Sequence, residues 1–398
     1  MMSATTKSPR QVLEVALLIG QRTLRKYSHR FSPKKFTQPQ LFACLVLKEF
    51  LQLDYRKLST LLDDTPALAA AISLDKIPHF TTFQKAAVRL LKSRRAGRLL
   101  DETVSRAKEK RLIKKRVKTA AVDGTGFESH HISAYFVKRR QKGESNVFQT
   151  TTYTRYPYAT IVCDCASHFV LAVVVGRGPG PDDPYYQPAL KQAARRTGID
   201  TILADAGYDS EAAHEYARDM HGMRTIIPPT RGRPTDKLPT GRWRWWMATH
   251  FNKQKYGQRW QVETVNSMIK RMIGSALRAR KYWPQFREII LRVLTHNIMI
   301  LRRQLFYGAD LSPGMSSKQL KIYKRTIRAL LLEEFAEPSL RRHSDGYQDQ
   351  ETEIFGIEET IYRQAQRANP RAGSGRRART LRHRCSGLRQ TTIQMDAL

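Results

Sequence analysis

Apolar positions in the first hundred residues recur at helical spacing. Val12, Leu13, Val15, Ala16 and Ile19 form one stripe, and Leu41, Phe42, Leu45, Val46 and Phe50 form another within residues 38–53. The segment from Tyr55 to Leu62 predicts a short helix. Beyond Asp75–Pro78, the run His79-Phe-Thr-Thr-Phe83 offers Thr81 or Thr82 as the cap of a new helix running through Leu91. Residues 10–110 therefore read as helical.

From residue 113 the period changes. Thr119-Ala-Ala-Val-Asp123 is a short apolar run stopped by an acid and Gly124. Tyr158–Cys163 and Phe169–Val175 follow as β-rich runs around a turn near Ser167, which predicts a three-stranded antiparallel start. A Gly/Pro-rich loop over Gly176–Pro184 leads to a helix pattern at Tyr185–Arg196. Thr201-Ile-Leu-Ala-Asp205 is a further strand ending in an acid, followed by a helix (Ser210–His221) and a strand (Thr225–Ile227). Residues 228–255 are rich in Pro and Arg, with Trp243, Trp245 and Trp246 close together. Two helical patterns come next, one carrying Glu263 and a long one over Phe286–Phe306, and residues 315–368 read as further helix with an acidic patch around Asp345–Glu359. No internal repeat is present.

One polar stripe stands out. Tyr256, Arg259, Glu263 and Lys270 fall within an arc of about 60° on one helix side, at about 100° per residue. Val265, Met268, Ile269 and Met272 take the far side, flanked by Val262 and Ile273. A carboxylate framed by two cations and an aromatic suits a site that holds a metal ion and a phosphate. By itself the stripe fits an exposed, ion-paired helix equally well. Arg259 preceding Glu263 by four is, however, the less favourable order for a helix-stabilising pair.

Charge then weighs in. The chain has 398 residues with 70 Lys+Arg against 35 Asp+Glu, a formal net charge of +35. Such an excess opposes compaction unless a polyanion is near, and the usual one is nucleic acid. A membrane surface is the weaker alternative: no apolar run of about 18 residues and no secretory apolar segment is seen. Cys163 and Cys165 make a poor zinc clamp at two-residue spacing, so with Cys44 and Cys385 they read as ordinary thiols of a reducing cytosol. Lys85, Arg89, Lys92, Arg94 and Arg95 on the helix after Thr82 favour a helix-turn-helix DNA reader, with a plain helical bundle as the alternative.

The order of strands and helices is that of an RNase H-like fold. In that order Asp123 ends the first strand and Asp205 the fourth, on central, adjacent strands, and Glu263 arrives from a helix across the sheet. Three carboxylates at one sheet edge imply a divalent cation, and oxygen-only ligands suit Mg²⁺ or Mn²⁺. Two ions could serve an in-line displacement at phosphorus. Asp164, Asp182, Asp183 and Asp209 read as loop or surface acids.

These motifs resemble the DDE-class insertion-sequence transposases of the Y-R-E-K signature group. Tyr256, Arg259, Glu263 and Lys270 match that signature at every position. Asp205-Ala-Gly207-Tyr208 matches the second-aspartate motif, and Asp123-Gly124-Thr125 the first. The resemblance covers roughly residues 40–305, including the Ile77-Pro-His-Phe-Thr-Thr-Phe83 turn, with no anchor in residues 310–398. It implies that Asp123, Asp205 and Glu263 form the metal-binding triad, that Arg259 and Lys270 contact transposon-end phosphates, and that Tyr256 supports or stacks at the cleavage site. It implies hydrolysis at element ends followed by attack of the freed 3′-hydroxyl on target DNA. Arg278, Arg280 and Lys281 extend the cationic surface, as DNA contacts or as a solvated helix end. The tryptophan cluster lies where some relatives carry an insertion that manages flipped bases; packing of a loop on the core is at least as good a reading.

The expected fold class is α/β: an RNase H-like mixed sheet with flanking helices, preceded by an all-helical N-terminal domain and followed by a helical C-terminal segment. The expected divisions are 1–112 for DNA-end binding, 113–306 for the catalytic domain with a short insertion near 228–255, 307–369 helical, and 370–398 an Arg-rich disordered tail. Expected partners are double-stranded DNA, both element end and target, and a second copy in a synaptic homodimer, in a prokaryotic cytoplasm at the nucleoid. Rival readings are an RNase H-like nuclease or domesticated relative that does not integrate, and a non-catalytic DNA-binding regulator.

Overall fold

The computed structural model describes residues 8–129, 156–178, 183–229 and 238–307, all within one compact unit spanning residues 4–321. The expectations for 307–369 and 370–398, for Asp182 and for Cys385 fall outside the described residues, apart from Tyr307 at the end of the final helix.

The N-terminal helices are α1 (Pro9–Thr23), α2 (Gln38–Phe50), α3 (Tyr55–Asp64), α4 (Pro66–Ala70), α5 (Phe80–Leu90) and α6 (Ser93–Glu109). Their starts are written in local chemistry. The Ser8 hydroxyl accepts from Gln11 N ahead of Pro9. Thr37 and Gln40 form a reciprocal capping box, with Gln40 N donating to Thr37 Oγ1 at 3.2 Å and Thr37 N to Gln40 Oε1 at 2.8 Å. Asp54 accepts from Arg56 N and Lys57 N. Two expectations are corrected. The cap of α5 is His79, which makes no side-chain cap bond, and Thr81 lies inside the helix with its hydroxyl on His79 Nδ1. The basic residues also divide: Lys85 and Arg89 lie on α5, whereas Lys92 caps α6 and Arg94 and Arg95 begin it. A tight turn at Leu91 separates the two helices, and Arg95 Nη1 closes it on the Arg89 carbonyl at 2.9 Å.

The sheet follows. Its strands are β1 (Arg116–Gly126), β3 (Tyr156–Asp164), β4 (Val170–Gly178), β5 (Gly198–Leu203) and β6 (Arg224–Ile226), in the order β4-β3-β1-β5-β6. β1 pairs antiparallel with β3 and parallel with β5. A two-stranded ribbon joins β2 (Glu128–Ser129) to β7 (Ala276–Leu277). This is the mixed sheet of the RNase H-like fold, three antiparallel strands continued by parallel ones. The helices α7 (Asp183–Arg196), α8 (Glu211–Arg218), α9 (Arg242–Thr249), α10 (Lys253–Tyr256), α11 (Trp260–Ile273) and α12 (Tyr282–Tyr307) complete the unit. The span read as a short insertion thus holds α9. Among the described residues no helix is long and apolar enough to cross a membrane.

Two acids read as surface groups are buried. Asp164 folds the β3–β4 turn by accepting from Ala166 N, Ser167 N and the Ser167 hydroxyl. Asp209 is fully buried between His214 and Arg244. Of the other two, Asp183 opens α7 and accepts from the Ser210 hydroxyl at 3.2 Å. Cys163 and Cys165 are buried thiols at the end of β3, and Cys44 is buried in α2.

α12 binds the helical layer to the sheet. It packs on α1, α2, α5, α6, β3 and β4. Its Asn297 side chain serves the edge strand β4 as a neighbouring strand would: Oδ1 accepts from Val170 N and Nδ2 donates to Val170 O, both at 2.9 Å. The same Nδ2 donates to Thr103 Oγ1 in α6 at 3.2 Å. Asn297→Leu would strand two buried main-chain groups. It is expected to lower unfolding free energy by about 2–4 kcal/mol, measured by urea denaturation.

Candidate active site

The strand register brings two acids side by side. The parallel pairing of β1 with β5 ends at Ala121 and Leu203. Asp123 and Asp205 each lie two residues further on, so they occupy equivalent positions on strands about 4.8 Å apart. The expectation that Asp123 ends its strand is corrected, because β1 runs on to Gly126 against β3. Asp123 instead sits where β1 loses its parallel neighbour and keeps its antiparallel one. That opens the sheet on one side without freeing the strand.

Both glycines beside these acids have a steric reason. A Cβ at Gly124 would lie 1.4 Å from the Tyr158 hydroxyl, which covers the face opposite Asp123. A Cβ at Gly207 would lie 3.1 Å from Asp205 Oδ1. Gly207 N donates to that oxygen at 2.9 Å and Asp205 caps the 3-10 turn Ala206–Tyr208, so the turn itself aims the carboxylate. Tyr208 anchors the turn, fully buried against Tyr186.

The third acid comes from α11, which packs on β1 and β3. Its buried face is Val262, Val265, Asn266, Ile269 and Ile273, while Met268 and Met272 are only half-buried. The four-residue stripe is not one helix. Tyr256 ends α10, Gly257–Arg259 form a 3-10 turn, and α11 begins at Trp260. Tyr256, Arg259 and Trp260 keep right-handed dihedrals, so Tyr256, Arg259, Glu263 and Lys270 still converge on Asp123 and Asp205.

Arg259 holds the centre. Its guanidinium pairs with Glu263 Oε1, and its Nη1 stands 4.0 Å from Asp123 Oδ1. Asp123 Oδ2 accepts from Asn266 Nδ2 at 3.2 Å. Burial pushes the Asp123 carboxyl up to about 6, with Arg259 opposing and the charges of Asp205 and Glu263 adding to the rise. The Tyr256 hydroxyl is also raised, first by burial, with Arg259 opposing and Asp205 and Glu263 reinforcing. Lys270 is lowered by burial, partly offset by Glu128 and Asp123, and its ammonium lies 5.7 Å from the Phe127 ring centroid. All six stripe and strand-end residues therefore share one electrostatic neighbourhood.

Oxygen-only donors around a carboxyl raised first by burial and then by neighbouring acids fit a hard divalent cation, which would stabilise the charged form. Among the described residues, no three acidic, His or Cys side chains stand close enough to hold an ion. The Arg259 guanidinium lies between Asp123 and Glu263, and Glu263, 53% exposed, is free to rotate toward the aspartates once that pair opens.

The remaining cations lie apart. Arg278 directs its guanidinium to the Gln52 carbonyl, while Arg280 and Lys281 are exposed on the segment before α12. Trp243 and Trp246 sandwich Arg218 at 4.4 and 4.6 Å, so two of the three clustered tryptophans pack α9 onto α8, and Trp245 is exposed. Sequence reasoning missed Asn266 and the Asp209–Arg244 pair. Asn266 carried a signal, a polar residue on the apolar face of α11. Asp209 and Arg244 carried none, being 35 residues apart.

The site is thus a set of carboxylates on two central strands of an RNase H-like sheet and on the helix across it. Residues 114–298 match the family model of the transposase DDE domain, which supports a DDE-class transposase. Among solved structures, a Mos1 strand transfer complex is similar over 78% of this chain and 79% of that one, at 13% identity and a TM-score of 0.23. A Mos1 mariner paired-end complex with Mn is similar over 71% and 83%, at 15% identity and a TM-score of 0.18. Both are distant likenesses. No curated protein matches the chain.

Proposed function

We propose that this transposase cuts phosphodiester bonds at the ends of an insertion sequence and joins the freed 3′-hydroxyls to target DNA. The observation that carries the reading is the convergence of Asp123, Asp205 and Glu263 around an arginine. In the first step a water oxygen bonds to phosphorus, the 3′ oxygen leaves in line, and the water proton passes to solvent. In the second, the 3′-hydroxyl oxygen bonds to a target phosphorus and displaces the target's own 3′ oxygen.

Asp123, Asp205 and Glu263 would hold divalent cations, two Mg²⁺ or Mn²⁺ ions. When bound, these supply Lewis-acid activation of the entering oxygen and neutralise the leaving one. Arg259 exchanges Glu263 for a phosphate of the scissile strand, and Lys270 takes a neighbouring phosphate. Tyr256, with its hydroxyl held by Arg259, stacks or supports the end nucleotide. Asn266 keeps Asp123 turned toward the shared edge. The helices before residue 112 bind the element end, Arg280 and Lys281 track the backbone with Arg278, and two copies pair the two ends in a prokaryotic cytoplasm.

The test uses the full chain, Mg²⁺ and a duplex carrying the DNA that flanks its own gene. Glu263→Gln is expected to abolish strand cleavage while leaving end binding within about twofold. Binding should fall steeply with salt, each neutralised phosphate adding about 0.9 to the log–log slope. Retained cleavage by the variant refutes the site. Cleavage without joining leaves a nuclease, and salt-dependent binding without cleavage leaves a regulator.

A further inference from the structure

The start of α12 carries an aromatic cluster that the catalytic reading does not use. Trp283 is 63% exposed, the most exposed tryptophan among the described residues. It is propped rather than loose: Tyr282 meets it edge-on at 5.1 Å and Phe286 at 5.9 Å. Tyr282 rests in turn on the Arg177 guanidinium, 4.5 Å from its ring centroid.

The preceding segment is equally fixed. Glu288 accepts from Arg278 N at 3.0 Å and from Ala279 N at 3.0 Å, and Gln285 Nε2 donates to Ala279 O at 3.0 Å. Arg280 and Lys281 emerge from this rigid turn exposed, with no ion pair among the described residues. Arg177 is exposed beside them and Arg287 half-buried behind. The acids nearby are Glu288, buried on Arg292, and Glu128, facing Lys270. Trp283 thus stands exposed and propped by two aromatic neighbours, with two exposed cations just before it in the chain.

The ribbon links this corner to the carboxylates. β1 and β2 carry the chain from Asp123 to Ser129, at most about 20 Å, and Ser129 pairs with Leu277, next to Arg278. The corner thus lies one short segment, Leu277 to Trp283, beyond a point at most about 25 Å from Asp123.

We propose that Trp283 is a stacking platform for an unpaired nucleotide of the bound DNA, with Arg280 and Lys281 on its flanking phosphates. This rests on the transposase reading and deepens it by naming the form of DNA taken at this corner. A neutral base offers a π-face to the indole while its phosphates meet the cations, which suits this mixed surface better than duplex, whose bases are inaccessible for stacking.

The experiment measures anisotropy of the full chain with a labelled 12-mer oligo-dT, a blunt duplex, and the same duplex bearing a six-nucleotide single-stranded extension. Trp283→Ala is expected to weaken oligo-dT and the extended duplex about tenfold, leave the blunt duplex within twofold and leave Tm unchanged. Trp283→Phe should restore most of the loss. The double change Arg280→Ala, Lys281→Ala should weaken all three and flatten the salt slope. Equal weakening on blunt duplex, or none on oligo-dT, overturns the platform. A change in self-association by light scattering with unchanged DNA affinity overturns it in favour of a protein surface. Wild-type protein that binds none of the three DNAs instead refutes the transposase reading beneath it.

Discussion

Replacing Asp123 by Asn is expected to make the metal-free protein more stable and the enzyme inactive. The carboxyl is 17% exposed and its protonation is raised from the ordinary 3.8 to about 6 by burial and by two neighbouring acids. Its charged form is therefore disfavoured in the folded state. The destabilisation is fully present above about pH 6, fades as pH falls toward 3.8, and is absent below that. Asn at 123 removes the charge and keeps an oxygen for Asn266 Nδ2, and Arg259 keeps Glu263. Denaturant unfolding at pH 7.5 should show a gain of about 1–3 kcal/mol that disappears near pH 4. Metal-dependent cleavage should fall by at least about a thousandfold, as expected for loss of electrostatic stabilisation at the reacting centre. A variant that is less stable at pH 7.5 would mean that Asp123 is a structural partner of Arg259 instead.

Arg259→Ala is expected to move two affinities in opposite directions. In the free protein the guanidinium occupies the place between Glu263 and Asp123 that a cation would share. Removing it should tighten DNA-free Mn²⁺ binding, about tenfold, as read by titration calorimetry. The same change removes a phosphate contact, so affinity for the end duplex should fall by about 1.5–3 kcal/mol, the range of hydrogen bonds to charged groups. In the wild-type protein, DNA and metal should each strengthen the other's binding by the same factor, because a coupling free energy is reciprocal. Unchanged metal affinity in Arg259→Ala would show that the pair with Glu263 is no barrier to loading.

Much of this fold was legible because its signals are local. Apolar stripes and the Asp205-Ala-Gly207 turn act over three or four residues, where chain connectivity already sets the geometry. The main strands of the sheet and the helices α1, α2, α3, α7, α8 and α12 followed from those periods, whereas α9 and the break between α5 and α6 did not, and the order sufficed to pair β1 with β5. Strand ends were less legible. The apolar run at Thr119–Asp123 understates β1 because its last residues are held by β3, whose partners lie far along the chain.

By itself the sequence determined the identity and chain order of the acids, the cationic excess and the i, i+4 step that sets Arg259 against Glu263. Only the tertiary structure decided what those groups meet. Asp123 acquires Asn266 across 143 residues, Asp209 becomes a buried anchor for Arg244, and Asn297 becomes a surrogate strand for β4. The reason is physical. Helical spacing is fixed by covalent geometry and local hydrogen bonds, whereas the burial of a polar group and the choice of its partner depend on surfaces that exist only after the layers have packed.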